Sequence, residues 1–403
     1  MKTVLFVGAG RHQRRAIEQA RTRGLRVVAV DRNAEAPGLA VADIPAVVDF
    51  GDYEGVIDVA RRAGIDGVLT ISADRAVPVV AAIAEALSLP GIGTETAFRL
   101  THKLAMRAAL GGHDLPQPRY ASLRSASDIG PALDGVRLPA VLKPVDSGGQ
   151  RAVFRVESRD DVEQNLAEAT TESPTGEAIL EEFVDGVELN GIVIARGAEP
   201  ALVTLSDRLR PPGIGFGVGW IHVYPPSIPA ERLRLAEEVA VGSVRALGLR
   251  DAIAFPQLIA APDGRVVVVE VAARIPGGQM ADLVRHAVGV DLVEVALRQA
   301  LGEEVPDAIA LPRFSQPLAI RFFTAQPGPL PTGRVVAIGS LDEVLASEGV
   351  VQADTYLQLG ETIRPVRRDG DRRGYVIAVA ETPEEALRRA EVAATRLEVE
   401  VAA

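Results

Sequence analysis

The chain contains no cysteine in 403 residues, which excludes disulfide frameworks, thiolate metal sites and cysteine nucleophiles. Aromatic residues are scarce, with 10 Phe, 5 Tyr and 1 Trp, and the formal charge is −11. Nucleic-acid binding asks for a basic face or stacking platforms, and neither is present. No apolar run approaches the ~18 residues of a spanning helix, so no membrane span is expected. The opening MKTVLFVGAG is briefly apolar, but it runs into Arg11, Arg14 and Arg15 with no small-residue cleavage site. A secretory signal is therefore not expected. Lysine is nearly absent: of 43 basic residues only Lys2, Lys103 and Lys143 are lysine, leaving 40 arginines. Arg and Lys differ in shape and hydration, so a lysine inside this arginine-rich chain stands out.

What is present describes a globular enzyme. Apolar residues make up 47% and charged residues 24%, and the length suits two or three domains. A cytoplasmic protein handling small molecules is expected. The first third alternates strand and helix: strands at 2–7, 26–30, 47–50 and 67–71, and helices at 11–23, 53–63 and 74–87. That alternation predicts βαβ units on a parallel sheet. A single helix is predicted over 94–110, followed by a linker at Pro116–Pro118. The middle is strand-rich, with an apparent hairpin of 252–261 and 266–271 around the Pro262-Asp263-Gly264 turn. The tail is mixed, with strands near 318–323, 334–338 and 375–380 and a last helix at 383–396.

Four segments carry candidate chemistry. Gly8-Ala9-Gly10, with Asp31 ending the next strand, suits a phosphate at a helix N-terminus and a ribose acid. The third fingerprint glycine is Gln13, however, so a plain turn, a substrate loop and NAD binding all stay open. Lys143-Pro-Val-Asp-Ser147-Gly148-Gly149 joins a cation to a loop whose N–H groups can fold over oxygens, a phosphate clamp or a flexible hairpin. Glu181-Glu182-Phe183-Val184, with Glu188 beyond, can serve adenine and ribose or be a solvated acidic turn. Gln257 and Glu270 sit on facing strands of the hairpin, where oxygen-only ligation suits Mg²⁺. Arg274 offers a planar fork to a phosphoryl or carboxylate group, and Gly277-Gly278 lets backbone N–H groups approach an oxyanion. A strand-end surface pair of Glu270 with Arg274 is the alternative.

In order, Lys103 on a helix, Lys143 before a glycine loop, the E-E-F-V…E strand, Gln…Glu-x-x-x-Arg and a glycine pair resemble the ATP-grasp superfamily. By motif the resemblance covers roughly residues 2–302. It implies an α/β and α+β chain with a Rossmann-like N-terminal domain at 1–113, a two-lobed ATP-grasp domain at 114–310 and a small mixed C-terminal domain at 311–403. It implies ATP, with Mg²⁺ or Mn²⁺: Lys103 and Lys143 on the phosphates, Ser147, Gly148 and Gly149 as lid. Glu181 and the backbone of Val184 would read adenine, with Glu182 and Phe183 beside them, and Glu188 the ribose. Gln257 and Glu270 would hold the metal, and Arg274, Gly277 and Gly278 would serve catalysis. Members often carry Asn two residues after the metal Glu, where this chain has Ala272.

The form E-V-A-A-R-x-P-G-G, followed by Val288-Gly-Val-Asp-Leu292, looks like the L-amino-acid ligase branch, which joins a carboxylate to an amine through an acyl phosphate. The N-terminal stretch fits equally the purine-pathway carboxylases and formyltransferases. Arg208 and His222, flanking a glycine-rich stretch at 211–220, are candidates for substrate contact. A mobile hairpin is the alternative there. The resemblance also implies a homodimer acting on small molecules.

Overall fold

The computed structural model describes residues 1–148, 151–210 and 218–402. Gly149, proposed above for the lid, and residues 211–217 of the glycine-rich stretch lie outside the described residues.

The N-terminal alternation forms a parallel four-stranded sheet in the order Ile44–Val47, Arg26–Asp31, Thr3–Val7, Gly67–Leu69. Thr3–Val7 is buried on both faces, which suits its continuous β-branched and aromatic run. The third strand lies three residues before the predicted span. Asp49 ends it by accepting from the N–H of Gly51 at 2.8 Å, a turn that the expected strand at 47–50 would have crossed.

The predicted helix over 94–110 is two helices, Thr94–Thr101 and Lys103–Gly111. His102 between them is extended (φ −117°, ψ 108°), and its imidazole accepts from the N–H of Ala105 at 3.4 Å, capping the second helix. Apolar periodicity continues across this break, and a histidine cap is an uncommon helix start, so the sequence reads as unbroken. The break has a use: the N–H of Lys103 donates to Val145 O at 2.8 Å, tying the helix start to the segment that follows Lys143.

Two further sheets enclose the central cavity. One has four antiparallel strands in the order Tyr120–Leu123, Ala178–Glu182, Ala140–Pro144, Phe154–Val156. The other has eight antiparallel strands, running Val266–Ala272, Ala252–Ala260, Val187–Arg196, Glu199–Leu209, Ile221–Tyr224, Leu318–Phe322, Gly374–Val379, Val350–Thr355. The predicted hairpin is its first pair, with Gln257 opposite Glu270. Strands from both sides of residue 310 share this sheet. A small sheet of Thr362–Ile363, Gly333–Ile338 and Val399–Ala402 completes the tail. One buried cluster joins Val4 and Phe6, Ile192, Leu283, Ile320 and Ile377, so the segments pack as a continuous body. Among the described residues no helix is long and apolar enough to cross a membrane.

Candidate active site

A cavity of about 630 Å³ opens between the two large sheets and the N-terminal layer, a size suited to a small-molecule ligand. Apart from the Gly8–Gly10 turn and Asp31, every described candidate from the sequence lines it: Lys103, Lys143, Ser147, Gly148, Glu181 to Val184, Glu188, Arg208, His222, Gln257, Glu270, Arg274, Gly277 and Gly278. Motifs up to 175 residues apart thus converge on one space.

On one wall, Lys143 is 7% exposed, and its Nζ lies 2.7 Å from Glu181 Oε2. It is no surface hairpin residue. Lys103 Nζ donates to the carbonyl of Ser147 at 2.9 Å, holding the base of the glycine loop. Glu181 is fully enclosed, and Arg107 takes its second oxygen at 2.9 Å. Burial works to raise the Glu181 pKa, but Arg107 and Lys143 override it and hold the carboxyl at about 2. The carboxylate proposed for adenine is therefore engaged by two cations. Glu182 is likewise engaged, by Arg265 at 3.0 Å and the N–H of Arg119 at 3.2 Å. Glu188 faces Arg208 and Arg210, each at 2.7 Å, so the ribose and substrate candidates Glu188 and Arg208 are partners of one another.

On the facing wall, Glu270 and Gln257 occupy paired positions, and Asn190 is the next residue across the same row of strands. Gln257 Nε2 approaches Asn190 Oδ1 at 3.5 Å, which leaves the Gln257 carbonyl oxygen for the cavity. A carboxylate and an amide oxygen side by side fit a hard cation that completes its shell with phosphate oxygens and water. Among the described residues no three His, Asp or Glu side chains gather into a metal cage. Ala272 lines the same wall and brings no oxygen.

At the far end, Arg274 is gripped by Asp74 of the N-terminal layer, Nε to Oδ1 at 2.7 Å and Nη2 to Oδ2 at 2.8 Å. Its Nη1 is buried with no partner. The two layers meet there through a parallel bridge of Ile71 with Ile275 and the Ser72 N–H donating to Ile275 O at 2.9 Å. Gly278 has φ +67°, and a Cβ built on it would stand 3.3 Å from His222 Nε2 and 3.4 Å from Arg372 Nη1. Only glycine keeps that space open without strain. The Gly8–Gly10 turn is different. Both oxygens of Asp31 accept backbone N–H groups, from Ala9 and Asn33, each at 2.9 Å. Gln13 is buried in place of the third glycine, its amide bonded to Ile71 O. Asp31 thus braces the turn through both of its oxygens.

A family model for the L-amino acid ligase C-terminal domain 2 matches residues 321–402. The formate-dependent phosphoribosylglycinamide formyltransferase of Ignicoccus hospitalis is 28% identical over 416 residues, covering 98% of this chain and 95% of that protein. An L-amino acid ligase from Bacillus licheniformis superposes with a TM-score of 0.84 at 22% identity, covering 100% of this chain and 99% of the other. A phosphoribosylglycinamide synthetase from Anaerococcus prevotii superposes at 0.80 and 18% identity, with both chains fully covered. Over its whole length the chain is similar to these proteins, and its likeness to the two solved structures is one of fold.

Within this cavity four lining or supporting residues escaped the sequence reading. Arg107 stands one helical turn beyond Lys103, and that i, i+4 spacing was an available signal. Asn190 alternates with Glu188 on one strand and so shares its face. Asp74 is the first residue of the helix predicted over 74–87, and Arg372 carried no local signal. Arg372 is enclosed, and its guanidinium lies 4.1 Å from the Phe322 ring centre. Burial lowers its pKa to about 10 despite Asp369 at 2.6 Å. His222 is a strand residue as well as a cavity residue, 3% exposed, with Nδ1 3.2 Å from the Asn190 amide. Its pKa falls well below the usual value, first through burial and then through Arg372 and Arg208.

Proposed function

We propose that this protein is an ATP- and Mg²⁺-dependent ligase that joins a carboxylate to an amine through an acyl phosphate, releasing ADP and phosphate. The observation that carries this reading is the convergence of the two interior lysines on one cavity wall, opposite the Glu270–Gln257 oxygen pair. In a chain with three lysines and 40 arginines, compact cations stand where phosphate oxygens would lie.

In this reading Lys103 and Lys143 neutralise the phosphates and Gly148 closes over them. Adenine contacts fall to the backbone from Glu182 to Val184, since the side chains of Glu181 and Glu182 are engaged. Glu270 and Gln257 would hold the cation, which when bound supplies charge neutralisation on the phosphoryl oxygens. The substrate carboxylate attacks the γ-phosphorus and ADP leaves. Arg274, steadied by Asp74, holds the acyl phosphate. The amine nitrogen then bonds to the carbonyl carbon while the Gly277–Gly278 amides receive the oxyanion, and phosphate departs. Preorganised charge supplies most of the acceleration in such transfers. The three-part division at 113/114 and 310/311 belongs to this reading, as does a cytoplasmic homodimer.

The substrate is an amino acid in the first reading, supported by the match of residues 321–402 to an L-amino acid ligase domain. The second reading, a phosphoribosyl substrate with formate or bicarbonate, is supported by the relative aligned along 98% of this chain. A panel of amino acids, formate and bicarbonate with Mg-ATP separates them, reading ADP and trapping acyl phosphate with hydroxylamine. Hydroxamate formed from an amino acid selects the first. ADP released only with formate or bicarbonate and a phosphoribosyl amine selects the second, and no ADP with any of them sinks both.

A further inference from the structure

The strand Val266–Ala272 is irregular beside the proposed metal ligand. Gln257 pairs with Glu270 and Leu258 with Val268, so Val269 is an extra residue in the ladder. Such a bulge bends its strand and re-aims neighbouring side chains. Here it breaks the two-residue alternation, and the adjacent Val269 and Glu270 both line the cavity. The strand is also the edge of its sheet, so its outward carbonyls have no ladder partner, and buried carbonyls need donors. One side chain meets them. Arg107, 1% exposed, donates Nη1–H to Val268 O at 3.0 Å and Nη2–H to Val269 O at 2.6 Å. Its Nε–H goes to Glu181 Oε1 at 2.9 Å, and the other Glu181 oxygen meets Lys143 Nζ at 2.7 Å.

We propose that Arg107 is a positioning residue whose single guanidinium fixes both the bulge that aims Glu270 and the carboxylate that holds Lys143. The inference rests on the nucleotide reading above. The three contacts leave in three directions from one rigid plane, which a guanidinium provides and an ammonium does not. Glu181, shared between two cations, grips Lys143 less exclusively than an isolated carboxylate would, so Lys143 can lean toward a phosphate without leaving an unpaired buried charge behind. The helix Lys103–Gly111 carries Arg107 one turn after Lys103, so one short element presents the loop-holding lysine and anchors both walls.

The test reads binding, so it does not depend on knowing the substrate. ADP affinity is measured by calorimetry on the full chain, and Mn²⁺ affinity by electron paramagnetic resonance on ADP-saturated protein, with melting temperatures alongside. Arg107→Lys keeps a cation against Glu181 but cannot bridge two carbonyls. It should leave ADP affinity close to wild type while weakening Mn²⁺ roughly 10- to 100-fold, the range for residues that orient metal ligands. Glu181→Gln should give the reverse split, with altered ADP affinity and unchanged Mn²⁺ affinity. Wild-type Mn²⁺ affinity in Arg107→Lys, with only a lower melting temperature, would show a purely structural role and overturn the proposal. Opposite splits in the two variants cannot arise from general loss of packing. A wild-type chain that binds no ADP at all overturns the nucleotide reading itself, and that result is distinct because it appears before any substitution.

Discussion

At the clamp end of the cavity, Lys103, Arg107, Lys143 and Glu181 are held by short contacts and all come from the first half of the chain. At the acceptor end, Asp74 and Arg274 are 200 residues apart, and His222, Gly278 and Arg372 come from three separate segments. The clamp end is buried and cross-braced by ion pairs, an arrangement that binds a constant ligand such as the phosphates of a nucleotide. The acceptor end is assembled from layers that meet at the Ile71–Ile275 bridge, so its shape follows the packing of whole segments. Under the proposed function, such a chain can keep its nucleotide chemistry while the substrate changes.

The comparison breaks first at Glu270. Glu270→Gln removes the carboxylate of the oxygen pair while keeping its shape, and turnover should fall on the order of 10³-fold or more, with the melting temperature little changed. Turnover within a factor of two of wild type would show that the facing wall is not a cation site.

Lys143→Arg is the next largest effect. Lys143 is enclosed 2.7 Å from Glu181, so the wider guanidinium displaces both the ion pair and any phosphate contact. A misplaced charge-assisted contact of ~1.5–3 kcal/mol corresponds to roughly 10- to 150-fold in kcat/KM for ATP. Some thermal destabilisation accompanies it, because the position is buried. The surface control Arg388→Lys, in an exposed pair with Glu385, should be silent. Equal kinetics for the two variants would remove the strongest link to ATP.

These two effects fall on residues that the sequence made legible. The lysine count picked out Lys103 and Lys143, and the hairpin around Pro262-Asp263-Gly264 set Gln257 against Glu270 before any coordinates. Both are local signals of spacing or rarity. The break at His102, the bulge at Val269 and the Arg107 anchor were not legible, because each depends on where a backbone group finds its donor in three dimensions. Arg372 and Asp74 are ordinary surface-type residues in the sequence and become site residues only through the packing of distant layers. The fold class followed from strand–helix alternation. The continuity of the eight-stranded sheet across residue 310 did not, since strand order is invisible to periodicity.

Asp74→Asn bears first on the acceptor end. It keeps the side-chain volume but loses the charge that grips Arg274 through two bonds. Arg274 should then wander, and kcat should fall roughly 10-fold, as small misplacements of positioning groups do. KM for ATP should change less than kcat, because Asp74 grips Arg274 through two bonds and meets the lysine wall only beside Gly148 and through the charge of Lys103. A parallel rise in KM for ATP would mean that the two ends are not separable.

The smallest effect is a pH dependence of stability placed at the acceptor end by His222. Its imidazole is buried beside Arg372 and Arg208, and its pKa in the fold lies well below the value of 6.5 it has when exposed. Below that value the unfolded chain takes up a proton that the fold refuses, so the unfolded state binds more protons and stability must fall as pH drops. Above it both states hold a neutral ring, and the contribution is constant. Well below 6.5 the loss from one such group approaches ~1.4 kcal/mol for each pH unit. In a chain of this length that amounts to a melting shift of about 1 to 3 °C per unit. His222→Gln keeps a polar group facing the cavity without the titration. The wild type should therefore lose more melting temperature than the variant between pH 6.5 and 5, and the two curves should run parallel from pH 7 to 8. Parallel curves across the whole range would show that His222 is not held neutral, and that the two guanidinium groups do not bear on it as the geometry requires.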